Sequence, residues 1–179
     1  MSGLSLIQPD TATGKAADLL AAVQTALGVT PNMTKAMANS PAVLKAYLDF
    51  STALSAGALP ASTRESIALL VAQENGCDYC LSAHTYIGTK LAGLSPEAAT
   101  DARKGQATDA RTAAALTLAT SLVRNQGDVS DPELEAAGEH LSEGEIAEVV
   151  AHVALNVFTN YLNKSGRVAI DWPLVRSTD

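Results

Sequence analysis

Helix starts and stops recur along this chain, and no stretch alternates polar and apolar residues with the period of two that a half-buried strand requires. Asp10 and Thr11 can cap a helix running to about Leu27, closed by Gly28. Pro31 to Asn39 has room for one or two turns. Ser40-Pro41 opens a helix to about Ala56, stopped by Gly57 and Pro60. Ser62-Thr63-Arg64-Glu65 has the form of a capping box and starts a helix that Gly76 terminates. The next helix runs from about Cys77 to Leu91. Ser95-Pro96-Glu97 begins a short one, Thr108-Asp109 a longer one ending near Gly127, and Asp131-Pro132 another short one. Ser142-Glu143-Gly144-Glu145 is a second capping box, leading a long apolar helix to about Lys164, and Asp171-Trp172-Pro173 falls in an extended tail. The expectation is an all-α chain of roughly seven or eight helices, with residues 1–179 forming one domain.

A core for such a fold must come from small and aliphatic side chains, because 47% of the residues are hydrophobic but only 4% are aromatic. Helices that meet through alanine approach closely. The net charge of −7 argues against nucleic acid or an anionic membrane surface as partner. Met1 to Pro9 lacks the basic and apolar pattern of a secretory signal, and no apolar run has the length of a bilayer span. These features predict a cytoplasmic protein, a compartment where two cysteines serve catalysis or metal binding more often than a structural disulfide.

Those two cysteines lie together in Gly76-Cys77-Asp78-Tyr79-Cys80-Leu81-Ser82-Ala83-His84. Thiols spaced C-x-x-C can close into a disulfide within one helical turn, and His84, at i+4 from Cys80, lies over that thiol on a helix. If the helices on either side of Gly76 form a hairpin, Glu65 lies roughly 16 Å back from the turn and His84 roughly 12 Å beyond it. The two side chains can therefore meet across the seam, giving a chain from Cys80 through His84 to Glu65 in which the imidazole accepts the thiol proton and the carboxylate orients it. Glu65 also suits the capping box for local reasons alone. Glu74 sits near a helix C-terminus, where the macrodipole disfavours it, and reads as a surface residue. The helix N-terminus favours Cys77 as the thiolate, whereas the register of His84 favours Cys80.

Arg64-Glu65 followed by Cys77-x-x-Cys80-x-x-x-His84 resembles the AhpD-like branch of the carboxymuconolactone decarboxylase superfamily. Asn156-Val157-Phe158-Thr159-Asn160 and Asp171-Trp172-Pro173 are similar to its peroxidase-related members. The resemblance covers the chain from about Pro41 onward. It implies an all-helical homo-oligomer, commonly a trimer or hexamer, with thiol-dependent hydroperoxide reductase activity and no haem or metal. It also implies that Cys80 attacks the peroxide, Cys77 resolves, Glu65 and His84 relay the proton, and a lipoyl-bearing or thioredoxin-type dithiol restores the pair. One departure stands out: the best-studied type has a histidine inside the C-x-x-C where this chain has Tyr79, whose phenol cannot accept a proton at neutral pH. Asp78 adds a negative charge beside both thiols, which tends to raise their pKa.

Other uses of the same groups have less support. A zinc site would need Cys77, Cys80, His84 and either His140 or His152, but the second two-ligand knuckle usual in structural zinc sites is missing, so no metal is expected. A non-enzymatic helical assembly would leave the redox spacing without a purpose. A general disulfide oxidoreductase or redox sensor is the nearest rival, and lactone decarboxylases of the superfamily, as the resemblance implies, lack the C-x-x-C. His152, Asn156 and Asn160 form a polar stripe at i, i+4 and i+8, either a solvated or subunit-facing edge or the lining of an approach to the thiols. Trp172 is expected to pack against the domain or a neighbour.

Overall fold

The computed structural model describes residues 3–178, and among them nine helices and no strand are present. They are α1 (Gly14–Leu27), α2 (Asn32–Met37), α3 (Pro41–Ser55), α4 (Ala61–Glu74), α5 (Asp78–Lys90), α6 (Pro96–Arg103), α7 (Ala110–Arg124), α8 (Asp131–Gly138) and α9 (Glu143–Ser165). The all-α expectation holds, and the count exceeds seven or eight because each short segment forms a helix of its own. None of the helices is long and apolar enough to cross a membrane.

The architecture is organised around α4, which packs against α5, α6, α7 and α9. Its run from Ser66 to Ala72 is buried on every side, so it behaves as a core helix rather than an amphipathic surface one. Ile67, Leu69, Leu70 and Val71 are at most 1% exposed, and full burial of each such side chain is worth about 1.5–3 kcal/mol. Leu116, Ala119 and Val149 bring α7 and α9 onto this core. A second cluster of Leu20, Met37 and Leu44 joins α1, α2 and α3.

Local signals explain most helix ends. Ser95 Oγ accepts from Ala98 N–H, Asp109 accepts from Thr112 N–H, and Ser142 and Glu145 form the expected reciprocal box. Ser130 and Glu133 form a further box at α8. Two expected starts differ. α1 begins at Gly14 behind Thr13, because Asp10 and Thr11 are used in a preceding turn closed by the Ala12 N–H to Gln8 carbonyl bond. The Ser62–Glu65 box does not form: α4 begins at Ala61 directly after Pro60, so Ser62 is already inside the helix and Glu65 is released for another partner. Glu74 is not a free surface residue either, since Arg124 grips its carboxylate at 2.7 and 3.1 Å.

Gly76 makes the turn from α4 to α5 possible. Its φ of 58° lies in the left-handed region, and Cys77 N–H then reaches back to the Ala72 carbonyl at 2.9 Å. Further along the same seam, a Cβ on Gly88 would sit 3.0 Å from Leu94 and 3.6 Å from the Glu65 Cβ. The missing side chain lets α5 lie close to the part of α4 that carries Glu65.

Candidate active site

Cys77 is the N-cap of α5, and its sulfur accepts from the Cys80 N–H at 3.4 Å. Both cysteines are reduced and buried, 1% and 2% exposed. Within this pair the Cys77 thiol is pulled down, first by the hydrogen bond from the Cys80 thiol, against burial, and then by the Cys80 amide and the charges of Lys164 and His84. The Cys80 thiol is pushed up by donating that hydrogen bond, by burial and by the neighbouring Cys77 charge, while Asn163 opposes the shift by donating Nδ2–H to Cys80 Sγ at 3.2 Å. Of the two thiols, Cys77 is therefore the one that gives up its proton more readily, as its helix-terminal position dictates. Cys80, however, is the sulfur that faces a cavity.

His84 also lines that cavity, and its Nδ1 meets Glu65 Oε2 at 2.8 Å across the α4–α5 seam. The carboxylate fixes the Nδ1–H tautomer, leaving Nε2 as the nitrogen available to accept a proton. Burial lowers the affinity of the imidazole for a proton, but the charge and hydrogen bond of Glu65 outweigh it, and the net shift is upward. Cys80, His84 and Glu65 are thus brought to one place.

The two intervening residues make their hydrogen bonds elsewhere, although Tyr79 also lines the cavity. Tyr79 accepts from Met33 N–H at 3.1 Å and from the Trp172 indole at 3.4 Å, and burial pushes its phenol far above the usual range. It ties α5 to α2 and to the C-terminal segment rather than to the sulfurs. Asp78 accepts from Ser177 N–H and Oγ–H, both at 2.8 Å, and these bonds hold its carboxyl below the usual value. The Asp78 carboxylate is engaged by the tail, and Trp172, packed on Tyr86 with ring centroids 5.6 Å apart, belongs to that same segment.

The cavity has a volume of about 820 Å³. The α9 stripe lies inward rather than at an edge: His152, Asn156 and Asn160 are all buried, and the first two line the cavity. Asn160 Oδ1 accepts from Asn75 at 2.9 Å. The stripe continues to Asn163, which the sequence reading missed although its spacing extends the same face. Tyr47 was also missed. It lines the cavity from α3, and burial together with the charges of Cys80 and Glu65 raises its phenol to about 12, so it stays a hydroxyl donor. Among the described residues no three His, Cys, Asp or Glu side chains gather as a metal-binding group, and His140 is exposed on the surface.

With this geometry in place, similarity to known proteins is informative. Residues 41–125 match the carboxymuconolactone decarboxylase family, a span that includes Glu65, Cys77, Cys80 and His84 and stops short of α9. No curated protein matches closely enough to count as a relative. Among solved structures, the chain is similar to a peroxidase-related protein with an alkylhydroperoxidase AhpD core from Ralstonia eutropha JMP134, with TM-score 0.83 and 21% identity over 93% of this chain and 90% of that one. A peroxidase-related protein from Silicibacter sp. TM1040 gives TM-score 0.80 and 22% identity over 94% and 91%. The debrominase Bmp8 gives TM-score 0.75 and 20% identity over 88% and 86%. At these identities the likeness speaks for the fold.

Proposed function

We propose that this chain, which belongs to the carboxymuconolactone decarboxylase superfamily through residues 41–125 and has the AhpD-like fold, reduces organic hydroperoxides with its Cys77–Cys80 dithiol. The observation that carries the reading is that Cys80 and the Glu65-held His84 face the same cavity. His84 Nε2 takes the Cys80 proton, and Glu65 balances the resulting imidazolium. The Cys80 thiolate attacks the distal peroxide oxygen, the O–O bond breaks, and the departing alkoxide takes the proton from His84. Cys77 then attacks the Cys80 sulfenic acid, forming the disulfide and releasing water. Two thiols and one hydroperoxide thus become one disulfide, one alcohol and one water.

An external dithiol returns the electrons. Thiols only 1% and 2% exposed favour a slender lipoyl-type arm over the broad face of a thioredoxin-type donor. A homo-oligomer, trimer or hexamer, belongs to the same proposal and is supported by exposed Val150, Phe158 and Tyr161 on one face of α9.

The cavity's apolar walls also favour a second reading, a dithiol reductase of another bulky apolar acceptor. On a brominated ring, as the likeness to Bmp8 suggests, carbon would gain a proton, bromide would leave and the same disulfide would form. The test is mass spectrometry of the thiols before and after one equivalent of cumene hydroperoxide. A two-hydrogen mass decrease, absent in Cys77→Ser and Cys80→Ser, supports the dyad. Unreacted thiols would sink the peroxidase reading.

A further inference from the structure

The cavity has a second polar end, remote from the sulfurs. Arg64 on α4 and His152 on α9 both line it. The rise along α9 from His152 to Asn160 is about 12 Å, and to Asn163, which touches Cys80, about 16 Å. Between the two ends the wall includes Ala68 and Leu155.

His152 is only 6% exposed, and its Nε2 is buried with no hydrogen-bond partner. Burial and then the Arg64 guanidinium lower the affinity of the imidazole for a proton, against the charges of Glu148 and Glu65, and the net shift is downward, which favours the neutral ring with its one N–H. A buried polar atom without a partner is costly unless something fills its place.

Among the described residues, Arg64 is the one Lys or Arg side chain lining the cavity. Its Nη1 donates to the Leu59 carbonyl at 2.6 Å, which fixes the guanidinium, and among the described residues no carboxylate lies within salt-bridge distance of it. The two acidic neighbours are committed elsewhere. Glu65 holds His84, and Glu148 accepts from Ala58 and Leu59 N–H at 2.8 and 2.9 Å. A fixed cation with no carboxylate paired to it, beside an unpartnered imidazole, is a site for an anion, and a planar carboxylate matches the guanidinium fork.

We infer that Arg64 and His152 form an anion subsite that holds the carboxylate head of an amphipathic hydroperoxide while its peroxide group reaches Cys80. The substrate class is then a fatty-acid hydroperoxide whose two polar groups lie on the order of 12–16 Å apart, matching the helical rise between the cavity's two ends. The chemistry at sulfur rests on the peroxidase reading above, whereas the subsite rests on the cavity itself.

Two measurements separate these claims. The first compares kcat/KM for 9- and 13-hydroperoxyoctadecadienoic acids with their methyl esters. The acid of at least one isomer is expected to be preferred by about tenfold or more, the scale of one charge-assisted hydrogen bond, with the difference in KM. Arg64→Met and His152→Leu should erase the preference and Arg64→Lys should keep part of it, with circular dichroism confirming the fold of each. The second measures binding of dodecanoate and dodecanol to the unreactive Cys80→Ser protein by calorimetry. Dodecanoate binding that Arg64→Met abolishes supports the subsite even if no hydroperoxide is turned over, an outcome that removes only the peroxidase reading. Equal use of acid and ester, with dodecanoate bound no tighter than dodecanol, overturns the inference. So does an acid preference that survives Arg64→Met.

Discussion

Glu65 and His84 meet at 2.8 Å although nineteen residues separate them along the chain. The contact exists because α4 and α5 fold back on each other at Gly76 and because Gly88 lets the two helices lie close. Glu65→Gln removes the charge that raises His84, so the imidazole limb of the pH–rate profile for disulfide formation should move to lower pH. The rate near neutrality should fall by about 100-fold or more, the range of a positioned general base. Stopped-flow oxidation across pH 5–9, about the span in which histidine titrates, checks this. A profile unchanged by the substitution removes Glu65 from the relay.

The same pair sets a sign for stability. His84 has a folded pKa above its ordinary 6.5, so the contribution of the ion pair is complete below that value and is lost as pH rises through the higher folded one. Urea unfolding of wild type and Glu65→Gln should therefore differ most on the acid side of neutrality and converge as the solution becomes alkaline.

Thiolate absorbance at about 240 nm should rise at lower pH in the wild type than for an ordinary cysteine near 8.5, with the charge on Cys77. In Cys77→Ser the Cys80 thiol loses the neighbouring thiolate, both as a charged acceptor and as a repelling charge, and an uncharged hydroxyl takes its place, so its titration should move down relative to its place in the pair. A Cys80 titration in Cys77→Ser at or above its wild-type position would contradict the coupling. Cys80→Ser should abolish turnover, and Cys77→Ser should stop at a trappable sulfenic acid.

Glu145 closes α9 through Ser142 N–H and Oγ–H at 2.9 and 2.8 Å and also binds Arg111, interactions that hold its carboxyl at about 2. Stability from this group is present above the ordinary 4.5 and is lost as pH falls toward about 2. Ser142→Ala should cost about 1 kcal/mol at pH 7. The gap between wild type and Glu145→Gln in urea midpoints should shrink on going from pH 7 to pH 3, a span chosen to cross the carboxylate range.

Tyr79→Phe tests the purpose of the residue between the cysteines. It leaves the part-buried Met33 N–H and the Trp172 indole without their acceptor, an expected loss of about 1–3 kcal/mol. Limited proteolysis should cut the C-terminal segment faster while the Cys77–Cys80 disulfide still forms. Loss of disulfide formation in a folded Tyr79→Phe protein would instead give the phenol a chemical role.

What the sequence determined by itself was local. Ser95, Asp109 and Ser142 start their helices because each cap is satisfied within the next three residues, and Gly76 ends one because its own backbone can take a left-handed turn. The clustering of Cys77, Cys80 and His84 at the start of α5 was legible for the same reason: helical periodicity alone places them. Tertiary structure decided the rest. Ser62 and Glu65 have the pattern of a capping box, yet Pro60 moved the helix start and the carboxylate went to His84. Cys77 is the thiol pulled down while Cys80 faces the cavity, because the environment of each sulfur comes from α9 and from the bundle interior as well as from the motif. His152, Asn156 and Asn160 turned inward, and Asp78 turned toward Ser177, through helix rotations and a tail path that no local spacing encodes. A cap is chosen by neighbours along the chain, whereas the partner of a buried side chain is chosen by how the helices pack.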